Sequence, residues 1–406
     1  MKKILALIFS IAMLTIITSM PAMAEEPVEL EFFCTKSEVQ GVMQEIIDAF
    51  CAENPGVKIV ISCPADTSTV LRTRVGSGDV PDILMIYPAE STYKAFYDSG
   101  YILDLSGYDF MQNVQQSMLD LAEYQDGIQI SVPYTLSTYG IFYNKDIFAE
   151  LELSVPTTLE ELIDTAKVIK EAGYDAFTLP LQNGQDQIAE RLLGAFDGDT
   201  YLKFQQVFDG ELTIDEVPSV TALAELFTAL KPYSTADAMG CNGDSATSAF
   251  VNGEAAMRFN GSWFLSSVLT ANPEMNVGMF GIPSASGDVK IPVNIDTGFA
   301  VSAKSEHQEI ALKFLEFLTR TEIAQKYYEV DGNINMIKGV EYDKAQMMDT
   351  YKLVMNGDMT LTQINLWGPN ATNVRSDMGA ALQSVYTDGA MDTYYELAEA
   401  AVMDNF

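Results

Sequence analysis

The chain has 406 residues, of which 48% are hydrophobic and 10% aromatic, and its formal net charge at pH 7 is −34. This length exceeds the size at which a single hydrophobic core usually stops growing, so we expect two lobes, and the apolar content excludes a disordered chain. The acidic charge would repel phosphate groups, which excludes nucleic acid as a partner and argues against an acidic membrane surface.

The first 24 residues read as a secretory signal peptide. Lys2 and Lys3 precede a mostly apolar run over residues 4–20, and residues 22–24 form a small-x-small cleavage site. We expect cleavage rather than retention as a membrane anchor. The mature chain would then begin at Glu25 and lie outside the cytoplasm.

The next segment alternates predicted strands and helices. Strands are predicted over residues 30–34, 57–62 and 81–86, with an amphipathic helix after the first and a helix over 67–76 after the second. This alternation is typical of a parallel sheet covered by helices on both faces. Ligands bind beyond the carboxyl ends of the strands in such sheets, so the loops that follow these strands are candidate binding loops.

A strand interrupted by proline marks the predicted passage into the second lobe. The alternating residues 128–132 predict a strand, Pro133 removes a ladder hydrogen bond, and residues 139–143 predict a second strand. We predict a hinge in the short polar segment between the two strands, with residues 137–139 exposed beside it.

The remaining elements are predicted from capping signals and periodicity. Thr158 and Glu161 have the capping-box pattern at the start of a helix that Gly173 ends, and residues 305–308 have a second such pattern. Further predicted elements are helices 188–196, 220–230 and 245–251, strands 255–259, 277–280 and 291–302, and helices 374–386 and 391–402.

The sequence lacks the common catalytic motifs. Its one histidine, His307, lies in a predicted helix cap, and there is no Walker A loop, no G-x-G-x-x-G and no H-E-x-x-H. We expect neither a metal nor a cofactor. Because 57 acidic residues supply many carboxylate pairs, a secreted two-carboxylate glycosidase stays open as an alternative. The acidic charge likewise leaves open a receptor for a cationic solute such as a polyamine.

The four cysteines, Cys34, Cys51, Cys63 and Cys241, have no C-x-x-C spacing, which argues against structural zinc. Cys34 and Cys63 follow strands that should be neighbours, and an extracytoplasmic compartment permits a disulfide between them. The sequence leaves that pairing open. The bulky and charged residues 30–33 before Cys34 depart from a lipoprotein box.

An ordered set of short motifs resembles the extracellular solute-binding proteins of family 1, the sugar-binding receptors of ABC importers. In chain order the motifs are 78–83 (GDVPDI), 133–134 (PY), 143–146 (YNKD), 156–161 (PTTLEE), 250–257 (FVNGEAAM), 260–263 (NGSW) and 311–318 (ALKFLEFL). Each motif alone is weak, but the ordered set covers the mature chain nearly end to end.

The resemblance implies an α/β, two-lobed type II periplasmic-binding-protein fold, with mostly parallel sheets and hinge strands between the lobes. We place the signal peptide at 1–24, lobe 1 at 25–133 plus 297–341, and lobe 2 at 134–296 plus 342–406. The implied function is capture of a sugar, in particular an oligosaccharide, in the cleft between the lobes, and delivery to an ABC permease by a monomeric receptor.

Sugar binding requires aromatic rings for the apolar C–H faces of the sugar and planar polar groups for its hydroxyls. Trp263 and Trp367 are the only tryptophans, and either could instead belong to the core. The resemblance favours Trp263, because the matching Asn-Gly-x-Trp turn supplies a sugar-stacking indole in a member of the family. Asp82 is expected to be structural. The other candidate binding residues are Asp296, Asn260, Glu38, Ser37, Tyr87, Glu90, Ser137, Tyr139 and Arg375.

Overall fold

The structure is a computed structural model and describes residues 27–284 and 287–406. The predicted signal peptide, residues 1–24, lies outside the described residues. No helix in the described part of the chain is long and apolar enough to cross a membrane.

The eleven strands of the described residues join in one hydrogen-bonded sheet. They are β1 (Val28–Phe33), β2 (Val57–Ser62), β3 (Ile83–Ile86), β4 (Val132–Asn144), β5 (Asp175–Phe177), β6 (Ala255–Gly261), β7 (Val277–Phe280), β8 (Ile282–Pro283), β9 (Val289–Val301), β10 (Ile334–Asn335) and β11 (Met359–Leu361). The main path is β2-β1-β3-β9-β4-β6-β5, while β7 and β10 also pair with β4, and β8 and β11 with β9.

Sixteen α-helices in the described residues surround this sheet. They are α1 (Gln40–Glu53), α2 (Thr67–Gly76), α3 (Ser91–Asp98), α4 (Gln116–Ala122), α5 (Lys145–Glu150), α6 (Leu159–Glu171), α7 (Gln185–Phe196), α8 (Thr200–Phe208), α9 (Pro218–Leu230), α10 (Gly243–Val251), α11 (Phe264–Ala271), α12 (Gln308–Leu318), α13 (Thr321–Asp331), α14 (Met348–Asn356), α15 (Ala371–Asp388) and α16 (Met391–Met403). Short 3-10 helices lie at Ser37–Val39, Asp109–Asn113, Ile214–Glu216, Lys231–Tyr233, Ala345–Met347, Gln363–Asn365 and Gly368–Asn370.

The long strands β4 and β9 are shared by the two ends of the sheet. They pair with each other in antiparallel register from Val132↔Phe299 to Thr138↔Val293. Beyond this ladder β4 continues against β6 and β7. On its other edge, β9 pairs with β3. The two ends of the sheet are thus connected through the β4–β9 pair.

The sheet is mixed, so the prediction of mostly parallel sheets is wrong in this respect. Parallel ladders join β1 to β2 and β3, β5 to β6, and β9 to β11. The other ladders of the described residues, including all those of β4, are antiparallel. The physical reason is that β4 and β9 pair directly in opposite directions, whereas parallel neighbours need a crossover connection.

The predicted interruption at Pro133 is also wrong. Residues 128–131 form no strand, and β4 runs through Pro133 without a break, because a register shift between Pro133 and Thr135 accommodates the missing ladder donor. The polar segment after it is part of the strand. Ser137, Thr138 and Tyr139 were expected to be exposed, but they are buried; the first two lie in the ladder with β9 and the third in the ladder with β6.

Many other elements form where the pattern predicts them. The strands β2 and β7 and the helix α2 have the predicted bounds. At the start of α6, Thr158 Oγ1 accepts the Glu161 N–H at 3.1 Å as expected. The Glu161 carboxylate, however, accepts the N–H of Thr157 at 2.7 Å, so the returning half of the capping box is displaced by one residue.

The second predicted capping box does not form. Ser305 Oγ accepts the N–H of His307, and His307 is the N-cap of α12 without a side-chain cap. Ser305 Oγ also donates to Asp82 Oδ1 at 2.5 Å, and Asp82 Oδ2 accepts the Glu31 N–H at 2.8 Å. Asp82 therefore connects the entrance of β3 to β1 and to the loop before α12, which is the structural role expected for it.

The four cysteines are free thiols in the structure. Cys34 is buried directly after β1, and its N–H donates to the Ser62 carbonyl of β2 at 2.8 Å. Burial raises the pKa of the Cys34 thiol to about 12, although a hydrogen bond with the Lys36 backbone opposes the effect. The sulfhydryl form is therefore strongly favoured at neutral pH.

The close packing of β4 gives a stability prediction. A Cβ on Gly140 would lie 2.4 Å from the Phe280 carbonyl oxygen of β7, so Gly140→Ala should lower the free energy of unfolding by roughly 1–3 kcal/mol. Gly41 in α1 has no atom within 4 Å of such a Cβ, so Gly41→Ala should be neutral or stabilising by about 0.5–1 kcal/mol. Urea unfolding of both variants tests the difference, and equal midpoints would contradict the packing around β4.

Candidate ligand-binding site

A cavity of about 580 Å³ opens between segments that are far apart in the chain. One side is formed by Lys36 and Glu38 in the loop after β1, together with the end of α13. The opposite side is formed by Ser262, Trp263 and the first turns of α11. The position at the carboxyl end of β1 is where the sheet rule predicts a ligand.

The indole of Trp263 is presented by a tight turn between β6 and α11. The side chain is 47% exposed, whereas most aromatic side chains of the protein are buried. A Cβ on Gly261 would lie 2.1 Å from indole carbon Cη2, so the ring lies directly on the Gly261 backbone. The Tyr139 ring lies 6.4 Å from the indole. Only glycine at position 261 permits this ring position.

Across the cavity from the indole, Lys36 binds two carboxylates. Lys36 Nζ lies 2.5 Å from Asp296 Oδ2 and 2.6 Å from Asp331 Oδ1, and the three side chains are 7%, 19% and 1% exposed. We call Lys36, Asp296 and Asp331 the lysine cluster. A buried charge is tolerated when it is paired and hydrogen-bonded, and the ammonium satisfies this condition with one hydrogen left over.

The pKa values within the lysine cluster are displaced in a consistent way. Burial opposes the charging of Lys36, but the two carboxylates outweigh it and raise the pKa of the ammonium above its usual range. Burial raises the pKa of the Asp296 carboxyl, with Lys36 opposing and Asp331 adding to the effect. Burial, followed by the charge of Asp296, also raises the pKa of the nearby Tyr87 to about 12.

The structure brings several of the predicted binding residues to this region. Trp263 and Glu38 line the cavity, and Ser37 is exposed on the same loop. Asp296 holds Lys36 from behind the cavity surface, and Tyr87 is half-buried close to both. These five residues come from four separate segments of the chain.

Other predicted residues lie outside the cavity surface. Asn260 is half-buried and its Oδ1 accepts the Gly261 N–H at 2.8 Å. Glu90 lines a separate small cavity, where burial raises the pKa of its carboxyl. Ser137 and Tyr139 are buried in β4. Arg375 is half-buried on α15 and its Nε lies 2.9 Å from Asp186 Oδ2.

Trp367 lies in the core, which was the alternative that the sequence left open. It is 3% exposed and stacks on Phe204 with ring centroids 5.8 Å apart. Within residues 27–284 and 287–406, its indole nitrogen has no hydrogen-bond partner. The physical reason is that α8 and the C-terminal helices close over the 3-10 turn that carries this side chain.

Sequence reasoning did not single out Lys36, Asp331 or Asn333. Lys36 follows the carboxyl end of β1, so the sheet rule was a usable signal for it. Asp331 and Asn333 flank Gly332, which ends α13 in a left-handed conformation with φ 73°. That turn is recognisable from the sequence, but its position next to Lys36 depends on the packing of α13 against the start of the chain.

The lysine cluster gives a prediction on stability and pH. Lys36→Met leaves two buried carboxylates without a counter-ion, so we expect a loss of about 3 kcal/mol in the free energy of unfolding near neutral pH. Burial already raises the pKa of the Asp296 carboxyl, and the variant removes the opposing charge of Lys36. The native state then binds more protons than the unfolded state, so the loss should shrink as the pH falls to about 5.

The matched control is Lys58→Met, because the Lys58–Glu29 pair at 2.8 Å is 57% and 59% exposed. Its removal should cost less than about 1 kcal/mol. Urea unfolding at the two pH values measures both variants. A Lys36→Met protein as stable as Lys58→Met, or a loss that does not shrink in acid, would contradict the role of the lysine cluster.

Comparison with known proteins agrees with this architecture. The sequence model of the bacterial extracellular solute-binding proteins matches residues 36–325. The multiple sugar-binding protein of Streptococcus mutans is 32% identical over 336 residues, which cover 79% of this chain and 78% of that protein.

Solved structures agree as well. The apo form of RafE from Streptococcus pneumoniae superposes with a TM-score of 0.82 at 25% identity, covering 94% of this chain and 98% of that one. RafE in complex with raffinose gives 0.75 at 26% identity, covering 93% and 99%. The two-lobed α/β fold and the family resemblance are therefore confirmed. The chain belongs to the family of bacterial extracellular solute-binding proteins.

Proposed function

We propose that this protein captures a sugar, in particular an oligosaccharide, in the cavity between Trp263 and the lysine cluster and delivers it to the permease of an ABC importer. The observation that carries the proposal is a half-exposed indole opposite a buried group of charged hydrogen-bonding side chains. A sugar ring has an apolar C–H face and a rim of hydroxyls, so it matches both walls at once.

The size and the free hydrogen-bonding groups support the same ligand class. The cavity of about 580 Å³ falls within the roughly 300–1,000 Å³ of small-molecule pockets. The third hydrogen of the Lys36 ammonium can donate to a sugar hydroxyl, and the Glu38 carboxylate, which is exposed in the cavity lining, can accept from one. Together they offer one donor and one acceptor, the set that a sugar hydroxyl complements.

Closure of the two lobes on the ligand is the proposed mechanism. A ligand that contacts both walls stabilises the closed arrangement by its higher affinity for that state, and the permease would recognise it. The strands β4 and β9 would bend between the lobes. The greater similarity to the apo form of RafE than to its raffinose complex supports assigning this structure to the ligand-free arrangement.

The alternatives receive less support from the site. The carboxylates of Asp296 and Asp331 already bind the Lys36 ammonium. A polyamine would be left with Glu38 and Glu329 of the lining, beside the cations Lys36 and Lys344. A glycosidase needs one carboxyl as an acid and a second as a base or nucleophile, and the carboxylates of Asp296 and Asp331 share one cation behind the cavity wall. The relatives are binding proteins, and we propose that this chain is likewise not an enzyme.

Membership of an extracellular family places the protein outside the cytoplasm. We further propose that the signal peptide is cleaved after Ala24, that the receptor is monomeric, and that the two lobes have the boundaries predicted from the sequence. The permease would contact both lobes of the closed receptor.

Isothermal titration against raffinose and a panel of neutral oligosaccharides tests the function. We expect Trp263→Ala to raise Kd for the bound sugar about tenfold or more, because the ring is the apolar anchor of the cavity. Tyr108→Ala is the control, since Tyr108 is 37% exposed and lies outside the cavity lining. The same affinity in both variants would remove Trp263 from the site, and no binding across the panel would contradict the function.

A further inference from the structure

The turn that carries Trp263 is hydrogen-bonded on two sides. We call residues 261–263 the tryptophan turn. The N–H of Ser262 donates to the Thr138 carbonyl oxygen of β4 at 2.8 Å, and the N–H of Thr138 donates to Ser262 Oγ at 3.3 Å. Ser262 Oγ in turn donates to Asn333 Oδ1 at 3.0 Å. A hydroxyl can accept and donate at the same time, so Ser262 is bonded to both β4 and Asn333.

Asn333 makes a second bond to the opposite wall. Its Nδ2 donates to Asp296 Oδ2 at 3.1 Å, and the same oxygen accepts from Lys36 Nζ. An ionised carboxylate only accepts hydrogen bonds, so the amide NH₂ must point to Asp296 and the amide oxygen to the hydroxyl. The side chain of Asn333 therefore has one correct orientation, with a partner at each end.

One helix end supplies both contacts to the lysine cluster. The left-handed Gly332 ends α13, and its N–H donates to the Tyr328 carbonyl oxygen. Asp331 before the glycine binds Lys36, and Asn333 after it binds Asp296. A displacement of this helix end would change both contacts together.

We propose that Asn333 is a positioning residue that couples the lysine cluster to the tryptophan turn. Through Ser262 it links Trp263 to Lys36 where both walls join the β4–β9 pair, so that this end of the cavity stays connected while the lobes close on a ligand. The expected effect on sugar affinity rests on the proposed function, whereas the position of the indole in the free protein does not.

The free protein gives the first test. Trp263 is 47% exposed and Trp367 only 3%, so acrylamide quenching of tryptophan fluorescence reports mainly on Trp263. Asn333→Ala and Ser262→Ala should each increase the quenching constant, and the double variant should quench no more than either single variant. Ser262→Thr keeps the hydroxyl, so its quenching constant should equal that of the wild type.

Asn113→Ala is the matched control, because its amide also donates to a side-chain oxygen, Thr319 Oγ1 at 3.0 Å, and lies outside the cavity lining. It should leave the quenching constant unchanged. Unchanged quenching in Asn333→Ala would overturn the inference, as would additive effects of Asn333→Ala and Ser262→Ala. Thermal melts by circular dichroism verify that each variant is folded before quenching is measured.

Sugar affinity gives the second test. With the oligosaccharide that the wild type binds in the titration panel, Asn333→Ala and Ser262→Ala should each raise Kd about tenfold, as expected for hydrogen bonds to charged or buried groups. The double variant should be no weaker than the weaker single variant, since both changes break one chain of bonds. A Kd of the double variant that is raised by the product of the two single effects would overturn the coupling. A wild type that binds no sugar contradicts the proposed function, and the quenching result then decides this inference alone.

Discussion

The antiparallel pairing of β4 with β9 determines how the remaining strands and both walls of the cavity are arranged. It is the ladder that joins the two ends of the sheet, and it carries both Thr138 of β4, which pairs with Val293, and Asp296 of β9, which lies at the register shift between Thr135 and Leu136. Thr138 holds the tryptophan turn, and Asp296 holds Lys36. Both walls of the cavity are therefore attached to the same pair of strands, although the residues that form the walls are hundreds of positions apart in the chain.

The chemistry of the cavity follows from how its charges are buried. A lone ammonium at the position of Lys36 would be too costly to desolvate, and two carboxylates so close together would repel each other. Combined, they form a buried group that remains polar and retains one ammonium hydrogen for a ligand. Opposite them, the indole rests on a glycine and needs no polar partner for its faces. The cavity thus combines an apolar ring face with buried charged groups, as a sugar combines an apolar C–H face with a rim of hydroxyls.

Sequence patterns predicted the elements well where the signal was local. Periodicity and turn residues placed β2, β7 and α2 at their observed bounds, and the Asn-Gly-x-Trp turn identified the exposed Trp263. Local patterns failed where the partner strand decides the outcome. Pro133 was predicted to break a strand that its neighbours complete, residues 137–139 were predicted to be exposed, and Asp331 and Asn333 reach the site only through the packing of α13. Trp367 has the same local signals as Trp263, and only tertiary packing distinguishes them.

Small-angle X-ray scattering with and without a bound oligosaccharide decides whether the two lobes close on one ligand. If they do, saturating sugar lowers the radius of gyration of the wild-type protein, and the change reverses when the sugar is removed. A complex formed at full occupancy with the same radius of gyration as the free protein would rule out closure around the β4–β9 pair.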